Sequence, residues 1–268
     1  MNKRGNDFLD SSKQKKGQVT VFIILGIIIV GVAALIYFLY PQIKTTFGIS
    51  TDPESYIQTC IQNDIQQTIT NLSMQGGVIN PTNSFLYYND KLDKAYKVQY
   101  LCYTNKYYVP CVMQQPLLQQ SIESEINNNI QQTAKTCFNN LESSYKGRGY
   151  SASLIPGNIT VNLLPERVDV TFNDQFSITR GSNSQRFENF SVIVNNNIYE
   201  LSAIATSILG WEATYGDSPV QLYMGNYHNL IVEKKQQSDG TKVYILTDLN
   251  TGDIFQFATR GYVMPPGY

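Results

Sequence analysis

From Val19 to Tyr40 the chain reads VTVFIILGIIIVGVAALIYFLY, 22 residues without a charged side chain. As a helix the segment is about 33 Å long, enough to cross a hydrocarbon layer roughly 30 Å thick. A core helix of a water-soluble domain seldom runs so far without a charge, so the segment is read as a transmembrane helix. Tyr37 and Tyr40 suit an aromatic belt at the membrane surface, and Pro41 is a natural stop. Lys3, Arg4, Lys13, Lys15 and Lys16 precede the run, whereas only Lys44 follows it closely, ahead of Asp52 and Glu54. The positive-inside bias therefore places the N-terminus in the cytoplasm and everything after residue 40 outside the cell membrane. The run exceeds the roughly 7–15-residue core of a removable export signal, and no small-x-small cleavage site follows it. An uncleaved, single-pass anchor is expected.

The anchor divides the chain into a cytoplasmic basic segment (1–18), a transmembrane helix (19–40), a helical Cys-containing exterior region (41–149) and a β-rich exterior region (150–268). Charge is nearly balanced, with 20 Lys and Arg against 21 Asp and Glu. A nucleic-acid partner calls for a basic face, so that class is set aside. One His and four Cys make a multinuclear transition-metal enzyme implausible, and no metal or cofactor is expected. The 24 Asn and 21 Gln outnumber the charged residues, leaving a surface solvated mainly by neutral amides.

In the exterior part, Asp52-Pro53 supplies a helix cap and a helix-tolerant Pro. Ile57, Ile61, Ile65 and Ile69 then recur every four residues, predicting an amphipathic helix to about Met74, closed by Gly76-Gly77. The segments FLYYN, KVQYLCY and KYYVPCV are β-prone, and Thr104-Asn105 marks the turn of a small hairpin carrying Cys102 and Cys111. Pro116 opens a second helix with Leu118, Ile122, Ile126, Ile130, Ala134, Phe138 and Leu141 on one face; Gly147 ends it. From Tyr150 the period becomes two. Strands are predicted around Ile159–Leu163, Val168–Phe172, Phe176–Ile178, Phe190–Val194, Leu230–Glu233, Val243–Leu246 and Ile254–Phe257, with a third helix over Tyr199–Trp211. The fold class expected is α+β, amphipathic helices packed with antiparallel sheet.

All four Cys follow the anchor, in an oxidising setting that favours disulfides. Of three connectivities, Cys60–Cys137 would staple the two amphipathic helices and Cys102–Cys111 would close the hairpin. Asn158-Ile159-Thr160, Asn189-Phe190-Ser191 and Asn71-Leu72-Ser73 are glycosylation sequons. Asn158, beside Pro156-Gly157, is the best candidate; Asn71 sits on a helix, a poor site for attachment. His228 lacks a nucleophile-elbow or HExxH context, and Glu123 and Glu125, two apart on a helix, read as solvated charges. No enzymatic activity is expected. The tyrosines at 87, 88, 100, 103, 107 and 108 suit either an adhesive surface or ordinary sheet packing.

Lys15-Lys16-Gly17-Gln18-Val19-Thr20, running straight into an apolar helix, resembles an archaeal class III (pilin-type) signal. The resemblance implies cleavage between Gly17 and Gln18 on the cytoplasmic side, leaving the apolar helix on the product. Thr20 matches the family's Ser or Thr at the third mature position; Phe22 departs from its Glu at the fifth. More widely, the GQVTVFIILGIIIVGV anchor followed by SYIQTCIQNDIQQTITNLSMQGGVI and a second Cys-bearing helix is similar to single-pass surface proteins of small-genome archaea, whose function is not established. The function expected is therefore a membrane-anchored structural or adhesion protein, with a pilin-like filament subunit as one form. The alternative is an anchored exterior domain that binds a partner or envelope polymer, and an envelope hydrolase ranks third. Expected partners are the lipid bilayer and, through self-association or adhesion, other surface proteins.

Overall fold

The computed structural model describes residues 23–31 and 52–264 of the chain. The chain divides into two units, at the step from residue 51 to residue 52. In the first, residues 23–31 are helical (α1), with side chains exposed throughout. Among the described residues, no helix is long and apolar enough to cross a membrane. The rest of the 19–40 run, the basic segment, Gly17 and Gln18 lie outside the described residues.

The second unit is a mixed α+β domain. Helix α2 (Pro53–Ser73) begins where Asp52 accepts the Ser55 amide through its carboxylate at 3.4 Å and Pro53 takes the first helical position. Its four isoleucines, at 57, 61, 65 and 69, are fully buried. Full burial of each contributes about 1.5–3 kcal/mol of transfer free energy. Helix α3 (Leu118–Gly147) starts without a side-chain cap and presents Ile122, Ile126 and Ile130 to the same interior. The helices are joined by the Cys60–Cys137 disulfide and by the Asn129 amide donating to the Thr68 hydroxyl at 2.8 Å.

The exit from α2 explains its double glycine. Gly76 and Gly77 have φ of +79° and +85°, and a side chain on Gly76 would meet Gln99 Cβ at 2.9 Å. The Gly77 amide closes on the Leu72 carbonyl, while the Gln75 side chain donates to the Ile79 carbonyl at 3.0 Å. Glu125 then accepts the Ile79 amide at 2.9 Å.

A six-stranded sheet has the order β1 (Ser84–Asn89), β2 (Lys94–Tyr103), β10 (Ile254–Arg260), β9 (Thr241–Asp248), β8 (Leu230–Gln236), with short β3 (Val112–Met113) also on β2. The Cys102–Cys111 bridge fastens β2 to the chain entering β3. Of the third aromatic segment only Val112 joins a strand, the two-residue β3; Tyr107 makes an isolated bridge to Val263 instead. The expectation of purely antiparallel sheet is corrected at one pairing. β2 and β10 run parallel, which is possible because the whole intervening chain serves as the long crossover a parallel pair requires.

The second sheet is built on β6 (Arg167–Arg180), with β5 (Ile159–Leu164) and β4 (Ser151–Ile155) sharing one edge end to end and β7 (Asn183–Asn195) along the other. β6 and β7 each run through positions where two shorter strands, or loop and strand, are predicted. The inward series Val168, Val170, Phe172, Asp174, Phe176, Ile178 is unbroken, with Asp174 taking a slot otherwise filled by apolar side chains. The polar pair Asn173-Asp174 coincides with a register shift, not a chain reversal. Phe138 of α3 packs edge-on against Phe172 and Phe190 of this sheet, at 5.8 and 5.1 Å between ring centres.

Helix α4 (Ile198–Tyr215), followed by short α5 (Val220–Asn226), touches both sheets, so one core runs from Ile57 to Phe257 across the helical and β-rich regions. A smaller core of Val98, Tyr100, Val243, Ile245 and Ala258 lies on the far side of the six-stranded sheet, packed by Phe85, Tyr87, Tyr96 and Tyr103. The tyrosine clusters therefore divide: Tyr100 is buried and bonded to Thr241, Tyr87 and Tyr103 pack, while Tyr88, Tyr107 and Tyr108 are exposed.

Candidate functional site

A cleft of about 620 Å³ opens between α3 and the turn joining β4 to β5. The helix supplies Ala134 and Phe138 from its buried stripe, and Asn127, Gln131, Lys135 and Asn139, four apart, from the flank beside it. Leu154, Pro156, Gly157, Asn158 and Ile159 form the opposite wall, and Asp174 closes one end.

Hydrogen bonds hold the turn in place. The Asn127 amide donates to the Ile159 carbonyl at 2.7 Å. Asn173 donates its backbone N–H and its side-chain amide to the Asn158 carbonyl at 3.0 and 3.1 Å, and the same amide to Asn158 Oδ1 at 3.0 Å. The approach is so close that a Cβ on Gly157 would lie 2.0 Å from the Asn173 carbonyl oxygen. Gly157→Ala should therefore push the turn off the β6 bulge and cost about 1–3 kcal/mol in urea unfolding. Unchanged stability would contradict the packing.

Asp174 is 8% exposed and accepts the Gly157 amide and its own backbone N–H. Burial raises its pKa despite these bonds. An acid whose pKa is higher folded than unfolded loses stability as pH rises through that interval. Asp174→Asn keeps an acceptor oxygen and removes the burial cost, so Tm at pH 7 should rise on the order of 1–3 °C, with no gain at pH 3. A lower Tm at pH 7 would overturn this reading.

No family model, curated protein or solved structure matches the chain. What the cleft can do follows from its lining. Gln131, Asn139 and Asn158 each offer both donors and an acceptor, Lys135 makes no ion pair among the described residues, and Phe138, Leu154, Pro156 and Ile159 supply apolar wall. A mostly apolar concavity with a few directed polar groups is how ligand sites are generally built.

Of the sequons, Asn158 and Thr160 are both exposed, and Asn158 stands in the cleft wall. Asn189 is exposed at φ 56°, next to buried Phe190. Asn71 is exposed, but Leu72 and Ser73 beside it are buried. All four cysteines are paired, as Cys60–Cys137 and Cys102–Cys111. His228 is exposed ahead of β8 and takes no part in the cleft. Among the described residues, no three or more His, Cys, Asp or Glu are placed to hold a metal ion.

The reading of Glu123 and Glu125 as solvated charges is corrected. Glu123 accepts the Leu163 amide and Glu125 the Ile79 amide, each at 2.9 Å. Two residues apart, they reach different neighbours from different sides of α3, fixing β5 on one side and the glycine exit of α2 on the other.

Sequence reasoning also passed over a buried polar cluster at the end of α4. Lys242 donates to both carboxylate oxygens of fully buried Glu212 at 2.9 Å, to the Gly216 carbonyl, and to Asp217 at 3.3 Å. Tyr244 donates its hydroxyl to Glu212, and burial, then the Glu212 charge, raises its pKa well above the ordinary range. Lys234 bonds Asp217 at 2.7 and 2.8 Å. Burial opposes ionisation of Asp217, but the Lys234 hydrogen bonds and the Lys242 charge outweigh it and lower its pKa.

Proposed function

We propose that this chain is a single-pass cell-surface protein, held by the 19–40 apolar run and presenting the 52–264 domain outside the membrane, with a structural or adhesive role. The observation that carries the reading is the pairing of every cysteine, in a domain on the non-basic side of the apolar run. Disulfides persist in oxidising compartments and are rare where glutathione and thioredoxin keep thiols reduced. The amide-rich surface fits an exterior domain that stays soluble with little net charge.

In the filament form of this proposal, cleavage after Gly17 frees the apolar helix to pack against copies of itself. Mass spectrometry of the mature N-terminus should then find Gln18 first, and mechanical shearing should release polymer. An intact start at Met1 or Asn2 would remove the filament form and leave a static anchor.

The cleft favours a second reading, in which the domain holds an envelope polymer. Among the described residues Asp174 is the one carboxylate in its lining, whereas glycoside hydrolysis ordinarily uses two. The lining therefore supports binding in preference to cleavage. Wall polysaccharide incubated with the purified protein should be retained and recovered at unchanged length. Shortened chains would return the hydrolase reading.

A further inference from the structure

Asn158 is both a sequon asparagine and part of the cleft wall, and its amide is held at one end only. Asn173 fixes Oδ1, while Nδ2, the atom that carries an N-linked sugar, has no protein partner among the described residues. Thr160, the sequon's third residue, is exposed. A glycan on this nitrogen begins inside the cleft.

The lining suits such an occupant. Saccharides present hydroxyls that donate and accept around the ring edge, and C–H surfaces on its faces. Gln131 and Asn139 can do both kinds of hydrogen bonding, Lys135 adds donors, and Phe138 with Leu154 provides apolar wall. Among the described residues, one cation and one buried carboxyl leave the lining little net charge, which disfavours a phosphate or nucleotide ligand, since those call for several cations.

We propose that the α3/β4–β5 cleft is a saccharide site whose resident ligand is the glycan attached to Asn158 of the same chain. Tethering gives the first sugars an effective concentration of order millimolar, so weak contacts suffice to seat them. A seated glycan covers the cleft and fixes the β4–β5 turn, and the same groups would meet free envelope saccharide when Asn158 is bare. The proposal rests on the exterior placement of the domain, because the glycan is added to exported chain.

The test uses the full chain purified from its own membrane. The tryptic peptide 149–167 should carry added hexose-type mass, and Thr160→Ala should abolish it while keeping Asn158. Hydrogen exchange at Gly157, Asn158 and Ile159 should be at least three-fold slower in the glycosylated chain than in Thr160→Ala. Lys135→Ala/Asn139→Ala should keep full glycan occupancy and lose that protection, a result that a merely surface-linked glycan would not give. Hydrazine-released envelope oligosaccharides, added at millimolar concentration to Thr160→Ala, form the second arm. Protection there with a bare native Asn158 assigns the cleft to free saccharide and overturns the resident glycan. A bare Asn158 without protection, or a glycan whose removal changes nothing, overturns the site altogether. If Lys97 is labelled on intact cells by a membrane-impermeant reagent, such a failure belongs to the cleft and leaves the exterior reading standing.

Discussion

Replacing both Cys60 and Cys137 by Ser is expected to lower the unfolding free energy by about 4.5 kcal/mol, by loop-closure entropy over the 77-residue separation. For a domain of this size that corresponds to a fall in Tm of about 10–15 °C. The effect should exceed that of removing Cys102–Cys111, whose nine-residue separation gives about 2.7 kcal/mol on the same relation. The bridges also differ in access. Cys60 is exposed on α2, whereas Cys102 and Cys111 are buried beside β10. Stepwise reduction followed by alkylation and peptide mapping should open Cys60–Cys137 first and leave a folded, less stable domain. Opening of Cys102–Cys111 first would contradict the difference in access, and a loss below about 1 kcal/mol on removing the long-range bridge would show that the buried isoleucines and the Asn129–Thr68 hydrogen bond hold the α2–α3 pair without it.

Lys242→Met should be nearly as costly, about 3–5 kcal/mol, because it leaves the Glu212 carboxylate buried without a counter-charge. Tyr244 still donates one hydrogen bond to that carboxylate but cannot neutralise it. The double variant Glu212→Leu/Lys242→Met should recover at least half of the loss, since replacing both partners of a buried pair removes the desolvation penalty along with the attraction. Chemical unfolding of the two variants separates the possibilities. A double variant as unstable as the single would mean that the pair itself stabilises the junction of α4 with β9. The same cluster carries an acid response. With its pKa lowered, Asp217 contributes stability above the ordinary aspartate range, and this is lost as pH falls through the lower folded value. Asp217→Asn should flatten stability against pH below about pH 4 and leave the alkaline side unchanged.

The helices were legible because burial writes itself into the sequence at a period near four. Ile57 to Ile69 and Ile122 to Ile130 are the fully buried stripes their spacing predicts, and they place Cys60 and Cys137 within bridging distance. The C-terminal strands were legible as short β-prone apolar runs set off by the turns that contain Gly240 and Gly252. β6 was harder. Asn173-Asp174 resembles a turn by composition, and only the unbroken inward series on either side betrays a strand with a bulge. That same irregularity brings Asp174 and Asn173 to the cleft, so the misread residues and the hidden site coincide. The parallel pairing of β2 with β10 left no local trace, because it joins segments far apart in the chain. Nor did the duties of Glu123, Glu125, Glu212 and Lys242, whose partners are distant backbone amides or charges. A signal did exist for Glu212: a carboxylate in the last turn of a largely apolar helix, away from the first-turn position of Glu200 and four residues before Gly216.

The central claim, a domain held outside the membrane by the apolar run, is tested most directly by labelling intact cells with a membrane-impermeant amine reagent. Lys97 and Lys146 are exposed on the domain, while Lys13, Lys15 and Lys16 precede the run. The account predicts that Lys97 and Lys146 react on intact cells and that any of the three early lysines retained in the mature chain react only after lysis. Early lysines labelled before lysis, or Lys97 and Lys146 protected until lysis, would contradict it.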